Sequence, residues 1–429
     1  MLTNAAPLTE WLAWLETLSP KEINLGLERV NLLLQRLDLA PPAHVLLIAG
    51  TNGKGSSVAM SAALLRAAGH RVGAYTSPHI THYNERIVVD GRVASDEEII
   101  AAFVKVEAHR GDTELTYFEF GTLAAAVIFD DAKLDVWVLE VGLGGRLDAT
   151  NAIEPTASLI SNVALDHCDW LGYDVETIGL EKAGVMRAGK PAVFGSNEMP
   201  ESVRRHAQQI GASLRSPGNG FDYTVAADGS WTWTSPSRTL GPLRPPGLLG
   251  RFQIGNAAAV LALLEAAGLM ANIDGELINS VLPELSVTGR AQRVVALGRE
   301  WLIDVAHNPA AAAVLGSTLA EHGQPRTSLA IVGMLDDKDV DGVIDAIAGN
   351  VGQWVAMRAV SPRAVPADEL ARQVANRCNK ACYIADSAQA AIEFARRNTS
   401  ENDRILVTGS FFTVGPILDQ LQSNPRPNQ

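Results

Sequence analysis

Cysteine, aromatic residues and positive charge are all scarce in this 429-residue chain, and each scarcity closes off a class of protein. Three cysteines, Cys168, Cys378 and Cys382, are too few for a disulfide framework and match no zinc spacing. A reducing cytoplasm is therefore the expected setting. Lysine and arginine number 35 against 48 acidic residues, a formal charge of −13, which leaves no basic surface for a nucleic acid. Anionic small molecules must then be met by local cations or backbone amides. No apolar run reaches the roughly 18 residues of a membrane helix. The first 20 residues also lack a basic segment followed by an apolar stretch, so neither a span nor a signal peptide is expected.

What is present is an ordinary globular composition, 47% hydrophobic and 19% charged, over a length that suggests two domains. Short apolar runs, HVLLIAG, RVGAYTS, DVWVLEVG, TASLISNV and PAVFGS, alternate with helix-like segments. That rhythm predicts βαβ units and a mainly parallel sheet. Ser95 and Glu98 in SDEE can cap one of the helices. FDYTV and SWTWTS around AADG predict an antiparallel hairpin, and residues 256–268 a helix. LPELSVTGR looks like a connection between domains. The alternation then restarts with WLIDVA, TSLAIVG, QWVAMRAV, ACYIAD and RILVTGS, a second, smaller α/β domain. The tail SNPRPNQ is expected to be disordered.

Ligands of such folds collect at the carboxyl ends of strands or between domains. GTNGKGSS places glycines and Lys54 between a strand and a helix, where free amides and the helix dipole attract phosphate. The usual loop carries Ser or Thr directly after the lysine to hold Mg²⁺, yet Gly55 stands there. Either Ser56 takes over that contact or the metal is held from elsewhere. Glu140, ending DVWVLE before GLGG, is placed to do so. Asp166 and His167 follow another apolar run, and Ser77 in YTSPH offers a hydroxyl at the same edge. In the second domain Asn308 and Pro309 account for a helix start. Asp304 and His307 have no such structural duty in the sequence and are expected to face the crevice. Arg290 in GRAQR is placed to reach a phosphate or to pair with an acid.

With these residues assembled, the sequence resembles the folate branch of the Mur ligase superfamily, the dihydrofolate synthases and folylpolyglutamate synthases. INLGLERV, GTNGKGSS, YTSPHI, NERIVVDG, TYFEFGTLAAA, LEVGLGGRLDATN, LDH, EKAG, FQIGNAAA, DVAHNP and TGSFFTVG carry the resemblance, in that order. It implies an N-terminal P-loop ATPase domain, residues 1–286, and a smaller Rossmann-like ligase domain, residues 287–429. The reaction it implies joins a pteroyl or folyl carboxylate to the amine of L-glutamate using ATP. A carboxylate is a poor electrophile, so the γ-phosphoryl group must first move onto it; the acyl phosphate is then attacked by the amine. Both steps crowd anions together and call for cations and oriented dipoles.

By the same resemblance, Lys54 with Gly53, Gly55, Ser56 and Ser57 would hold the ATP phosphates, completed by Asn256, Arg290 and Asp304, with His307 nearby. Ser77, Glu140 and His167 would bind one or two Mg²⁺ ions. Lys182 in LEKAG matches a lysine that CO₂ carbamylates, which requires a neutral, desolvated amine. The dihydropteroate or folate site is implied at Leu25, Gly26 and Leu27, at Thr116, Tyr117, Phe118 and Glu119, and at Leu147, Asp148 and Ala149. Phe118 reads equally as a platform for a flat ring or as core. Thr288 and Phe412 depart from the family's usual proline and histidine. A monomer acting on both dihydropteroate and folates is expected. The alternatives are folylpolyglutamate synthesis alone, a peptidoglycan ligase, or a nucleotide-gated binding protein.

Overall fold

The computed structural model describes residues 2–19, 23–321 and 327–423; the tail expected to be disordered lies, from residue 424 on, outside them. An 11-stranded sheet lies between residues 44 and 243, and a six-stranded sheet between residues 292 and 408. All ten apolar runs read as strands lie in one sheet or the other. At the centre of the large sheet, His44–Ala49 runs parallel to Val136–Glu140 on one side and Ala157–Ile160 on the other. Its side chains alternate between two cores, Val45, Leu47 and Ala49 into one, Leu46 and Ile48 into the other. Burial on both faces is why the strand reads as a continuous apolar run rather than an alternating one. In the small sheet, Ala330 and Val332 face one core while Leu329 and Ile331 face another.

The expected hairpin is Gly220–Val225 paired antiparallel with Trp231–Thr234, extended by Thr239–Leu243. Its tryptophans are buried, and Trp233 Nε1 donates to the Ala258 carbonyl at 3.0 Å. The helix expected over residues 256–268 runs instead over Phe252–Ala266. It begins four residues earlier because Gly250, at φ +101°, turns the chain there. Antiparallel Ile87–Val89, beside Val72–Tyr75, and the edge strands Arg92–Val93 and Gln292–Ala296 are additions to the parallel pattern. Ser95 and Glu98 form the expected capping box. No helix among the described residues is long and apolar enough to cross a membrane.

The two halves meet through small residues. Ile80, in the loop after strand Val72–Tyr75, packs where a Cβ on Gly289 would stand 2.4 Å from its Cδ1 and one on Gly415 2.3 Å from its carbonyl. Aromatic packing stiffens the helices behind that loop: the Phe103 ring centroid lies 5.8 Å from those of Trp11 and Tyr83 and 5.5 Å from that of Phe120. Phe103→Ala should cost about 3–5 kcal/mol, read as a lowered urea midpoint of the large half; an unchanged midpoint would show that this cluster does not hold it.

Candidate functional site

The phosphate-binding turn is fixed by its neighbour strand. Asn52 donates its amide to Asn162 Oδ1 (3.0 Å), Ser161 Oγ donates to the Asn52 carbonyl (2.6 Å), and Thr51 Oγ1 bonds the Ala164 segment. Gly50 is required at φ +144°, since its Cβ would stand 1.9 Å from Ser161 Oγ. Gly53, at φ +83°, brings the loop against Asn256, whose Oδ1 would be 3.0 Å from an added Cβ. The helix Lys54–Ala67 starts there, and its first amides have no acceptor within their own helix.

Two lysines converge beneath this turn. Lys54 Nζ donates to the carbonyls of Gly50 and Thr51, each at 3.1 Å, and Lys182 Nζ donates to the same Gly50 carbonyl at 3.0 Å. Burial, followed by the charge of Lys54, pulls the Lys182 pKa down to about 7. Burial also lowers that of Lys54, with Glu140 opposing.

Glu140 is buried at the end of its strand and its Oε2 accepts from the Ser77 amide at 3.2 Å. Burial raises its pKa while Lys54 and Arg290 oppose. A side chain at position 55 would stand 3.6 Å from Glu140 Oε2 and 3.7 Å from Arg290 Nη2. The space of the missing hydroxyl is thus bounded by a carboxylate. Ser56 and Ser57 are turned away from it: Ser56 Oγ accepts from Gln253 (3.4 Å) and Ser57 Oγ donates to the Gly53 carbonyl (2.9 Å). Of the two alternatives left by the sequence, the geometry favours a metal held from elsewhere than Ser56.

From the second half, Arg290 lies 5.7 Å over the Phe411 ring. His307 Nε2 lies 3.4 Å from Asp166 of the large half, and the view that Asp304 and His307 lack structural duties needs correction. Asp304 accepts from the amides of Ala291 (2.7 Å) and Ala306 (2.8 Å), which shapes the turn carrying Arg290. His307 Nδ1 meets the Val305 carbonyl at 2.8 Å. Burial raises the Asp304 pKa, with Arg290 opposing.

His167 stands on the far side of the loop from Glu140. Enclosure in the crevice lowers its pKa to about 4, Asp166 opposing and Lys338, His307 and Lys54 reinforcing. Its imidazole is therefore neutral at physiological pH, fit for a metal but a weak base. Among the described residues, no three His, Cys, Asp or Glu side chains gather to hold a metal. An ion here needs phosphate oxygens and water to complete its shell, as Mg²⁺ commonly does.

The three segments expected at the pterin converge. Gly26 donates its amide to the Leu147 carbonyl at 3.4 Å, and Arg29 joins Glu119 (2.8 Å) to the Asn24 carbonyl (2.5 Å). Leu25 and Leu27 flank that tie. The Phe118 ring covers Gly142, where an added Cβ would stand 2.6 Å from it, and lies 6.1 Å from Tyr75. Tyr117 is half-buried beside it and Ala149 is buried. The side chains of Thr116 and Glu119, however, form a second capping box. Asp148 is occupied with the amides of Leu143 and Thr150. The signature T-x-x-E could have announced the box, as S-x-x-E did at Ser95.

Sequence reading also missed the polar junction between the halves. Lys338 Nζ lies 2.7 Å from Asp166 Oδ1, and Asn308 Nδ2 donates to Asp166 Oδ2 at 2.9 Å while also capping its own helix. Burial disfavours the Asp166 charge, yet His307, His167 and Lys338 hold its carboxyl well below the usual range. A cleft of about 1210 Å³ opens here, lined by Leu25, His167, Trp170, Asn308 and Lys338 among others.

A phosphate loop facing a carboxylate, covered by a second α/β half that contributes an arginine, defines an ATP-dependent ligase of the Mur type. The Mur ligase glutamate ligase domain matches residues 289–411. The chain belongs to the dihydrofolate synthase/folylpolyglutamate synthase family. It is 40% identical to that protein of Escherichia coli K12 over 98% of this chain and 96% of the relative. The Mycobacterium tuberculosis H37Rv relative is 31% identical over 94% and 90%. Among solved structures, E. coli FolC in complex with DHPP and ADP superposes with a TM-score of 0.92 at 39% identity, covering 99% of both chains. A bifunctional folylpolyglutamate synthase/dihydrofolate synthase with Mn, AMPPNP and L-glutamate bound gives 0.90 at 40%, covering 98% and 99%.

Asp166→Ala leaves the Lys338 ammonium, 7% exposed, with only the longer 3.6 Å contact to Asp337. The loss should be about 3–5 kcal/mol and should loosen the two halves, seen as a larger radius of gyration in X-ray scattering. An unchanged radius and melting midpoint would mean that the pair does not hold them together.

Proposed function

We infer that this chain is an ATP-dependent ligase that adds L-glutamate to 7,8-dihydropteroate, forming dihydrofolate, and to folates, extending the glutamyl tail. The observation that carries this is the phosphate loop bounded at Gly55 by Glu140 of the large half and Arg290 of the small half, in a chain related over its whole length to enzymes of that name. We place the boundary between the ATP-binding and ligase domains after residue 286.

Each residue's role follows from what it can reach. The amides opening helix Lys54–Ala67 and the Lys54 ammonium suit the β- and γ-phosphates. Asn256, packed on the loop, and Arg290 and Asp304 complete the nucleotide site when the halves are together. Glu140, Ser77 and His167 would hold Mg²⁺ along with phosphate oxygens, and the ion would supply charge neutralisation on the phosphoryl group. The substrate carboxylate oxygen attacks the γ-phosphorus and the bond to the β-phosphate oxygen breaks, leaving ADP and an acyl phosphate. The glutamate amine then attacks the acyl carbon, loses a proton to solvent, and phosphate departs. Neither step needs a protein nucleophile. Both need water kept away from the acyl phosphate, a task suited to the junction formed by Asp166, Lys338 and Asn308.

Lys182 suits carbamylation because burial lowers its pKa to about 7, so that a large share of its amine is neutral at that pH. The amine nitrogen bonds to CO₂ and releases one proton, which replaces a cation under the turn with an anion able to orient metal. The Leu25–Leu27, Tyr117–Phe118 and Leu147–Ala149 segments form the folate wall. One chain supplies every group named, in keeping with a monomer, and the acidic surface suits small-molecule partners rather than nucleic acid.

Phosphate release from ATP should require both L-glutamate and 7,8-dihydropteroate, and tetrahydrofolate should replace the latter. Release with ATP alone, or none with all three, would sink the ligase reading. Lys54→Ala should lower kcat at least a hundredfold. With ¹³C-bicarbonate, a carbamate resonance should appear and grow as pH rises through about 7, since the reactive neutral amine dominates above that pKa. It should vanish in Lys182→Ala, and its absence from the wild-type protein would leave that lysine unmodified.

A further inference from the structure

The site lysines Lys54 and Lys182 donate to backbone carbonyls, whereas a further cation beside the site has no carbonyl or carboxylate hydrogen-bond partner among the described residues. Arg86 is buried, 8% exposed, at the end of the turn Tyr83–Arg86. Its Nε donates to His79 Nδ1 at 2.8 Å, its guanidinium lies 5.4 Å from the Tyr83 ring and 5.6 Å from the Tyr117 ring, and it acts on the Tyr75 hydroxyl. No carboxylate forms an ion pair with it among the described residues, although Glu140 feels its charge from further off. A buried arginine is ordinarily paired with an acid, and a desolvated charge whose direct contacts are neutral groups is costly unless an anion joins it.

The position of Arg86 says which anion. The Thr76 amide donates to the Arg86 carbonyl at 2.9 Å, and the next residue, Ser77, gives its amide to Glu140. On its other side Arg86 covers Tyr117, the neighbour of Phe118, and shares Tyr75 with the Phe118 ring. The guanidinium thus lies between the aromatic platform and the carboxylate at the phosphate loop. A flat ring on Phe118 carrying a carboxylate directed at the γ-phosphate would extend past it.

We propose that Arg86 receives the reacting carboxylate of the pteroyl or folyl substrate and orients one of its oxygens toward the phosphoryl group. This rests on the ligase reading and adds a substrate-binding residue to it. A guanidinium suits the task, because it can hold one carboxylate oxygen while the other remains nucleophilic, and it cannot give up its proton.

The test compares 7,8-dihydropteroate with its uncharged carboxamide in titrations of the wild-type protein, Arg86→Gln and Arg86→Lys, all with ADP present. Wild-type protein should prefer the acid by roughly ten- to hundredfold, the scale of a charged hydrogen bond. Arg86→Gln should bind both ligands at the carboxamide's level while its ADP affinity stays unchanged. Arg86→Lys, which keeps the charge without the fork, should retain part of the preference and carries the comparison if Arg86→Gln does not fold. Equal weakening of both ligands, or an undiminished preference in the variants, would overturn the assignment and leave Arg86 a structural cation. Wild-type protein that binds neither ligand would overturn the ligase reading itself.

Discussion

Two lysine ammonium groups share one carbonyl, that of Gly50, and much of the site follows from that crowding. Two like charges in a poorly hydrated turn repel. They are tolerable when anions lie close or when one of them gives up its proton. Glu140 supplies a nearby anion, at the end of the strand paired beside the loop strand, with Ile48 opposite Glu140. The depressed pKa of Lys182 supplies the second remedy. A triphosphate at this turn would supply more negative charge still.

The same logic of incomplete neutralisation extends across the junction. Asp166 accepts from Lys338 and Asn308 and lies 3.4 Å from His307, all three from the second half. Its neighbour His167 belongs to the phosphate-loop side. A single strand end therefore faces both the phosphate turn and the second half, and the junction's electrostatics bear on both. Ile80 provides the apolar counterpart, seated between two glycines of the small half.

How much of this was legible depended on the range of the interaction. Strands buried on both faces announced themselves as apolar runs, and the phosphate turn announced itself because strand, glycines, lysine and helix are contiguous. The antiparallel additions are harder to read: Ile87–Val89 is only three residues long, and Gln292–Ala296 is largely exposed or half-buried at the sheet edge. Glu140 could be found from its place at a strand end. Lys338 could not, since its partner lies 172 residues away and a lysine within DDKD reads as a solvated charge. Thr116 and Glu119 show the opposite difficulty: one motif served two readings, and their side chains turn out to close a helix.

Ile80 lies three residues beyond Ser77, and the loop they share is short. At one end the Ser77 amide holds Glu140; at the other the Ile80 backbone fills the gap that Gly415 leaves. Hinging the small half away removes the surface that Ile80 rests on, and the slack is taken up next to the carboxylate at the phosphate loop. The loop thus acts as a short tie rod, through which separating the halves would loosen the hydrogen bond that holds Glu140.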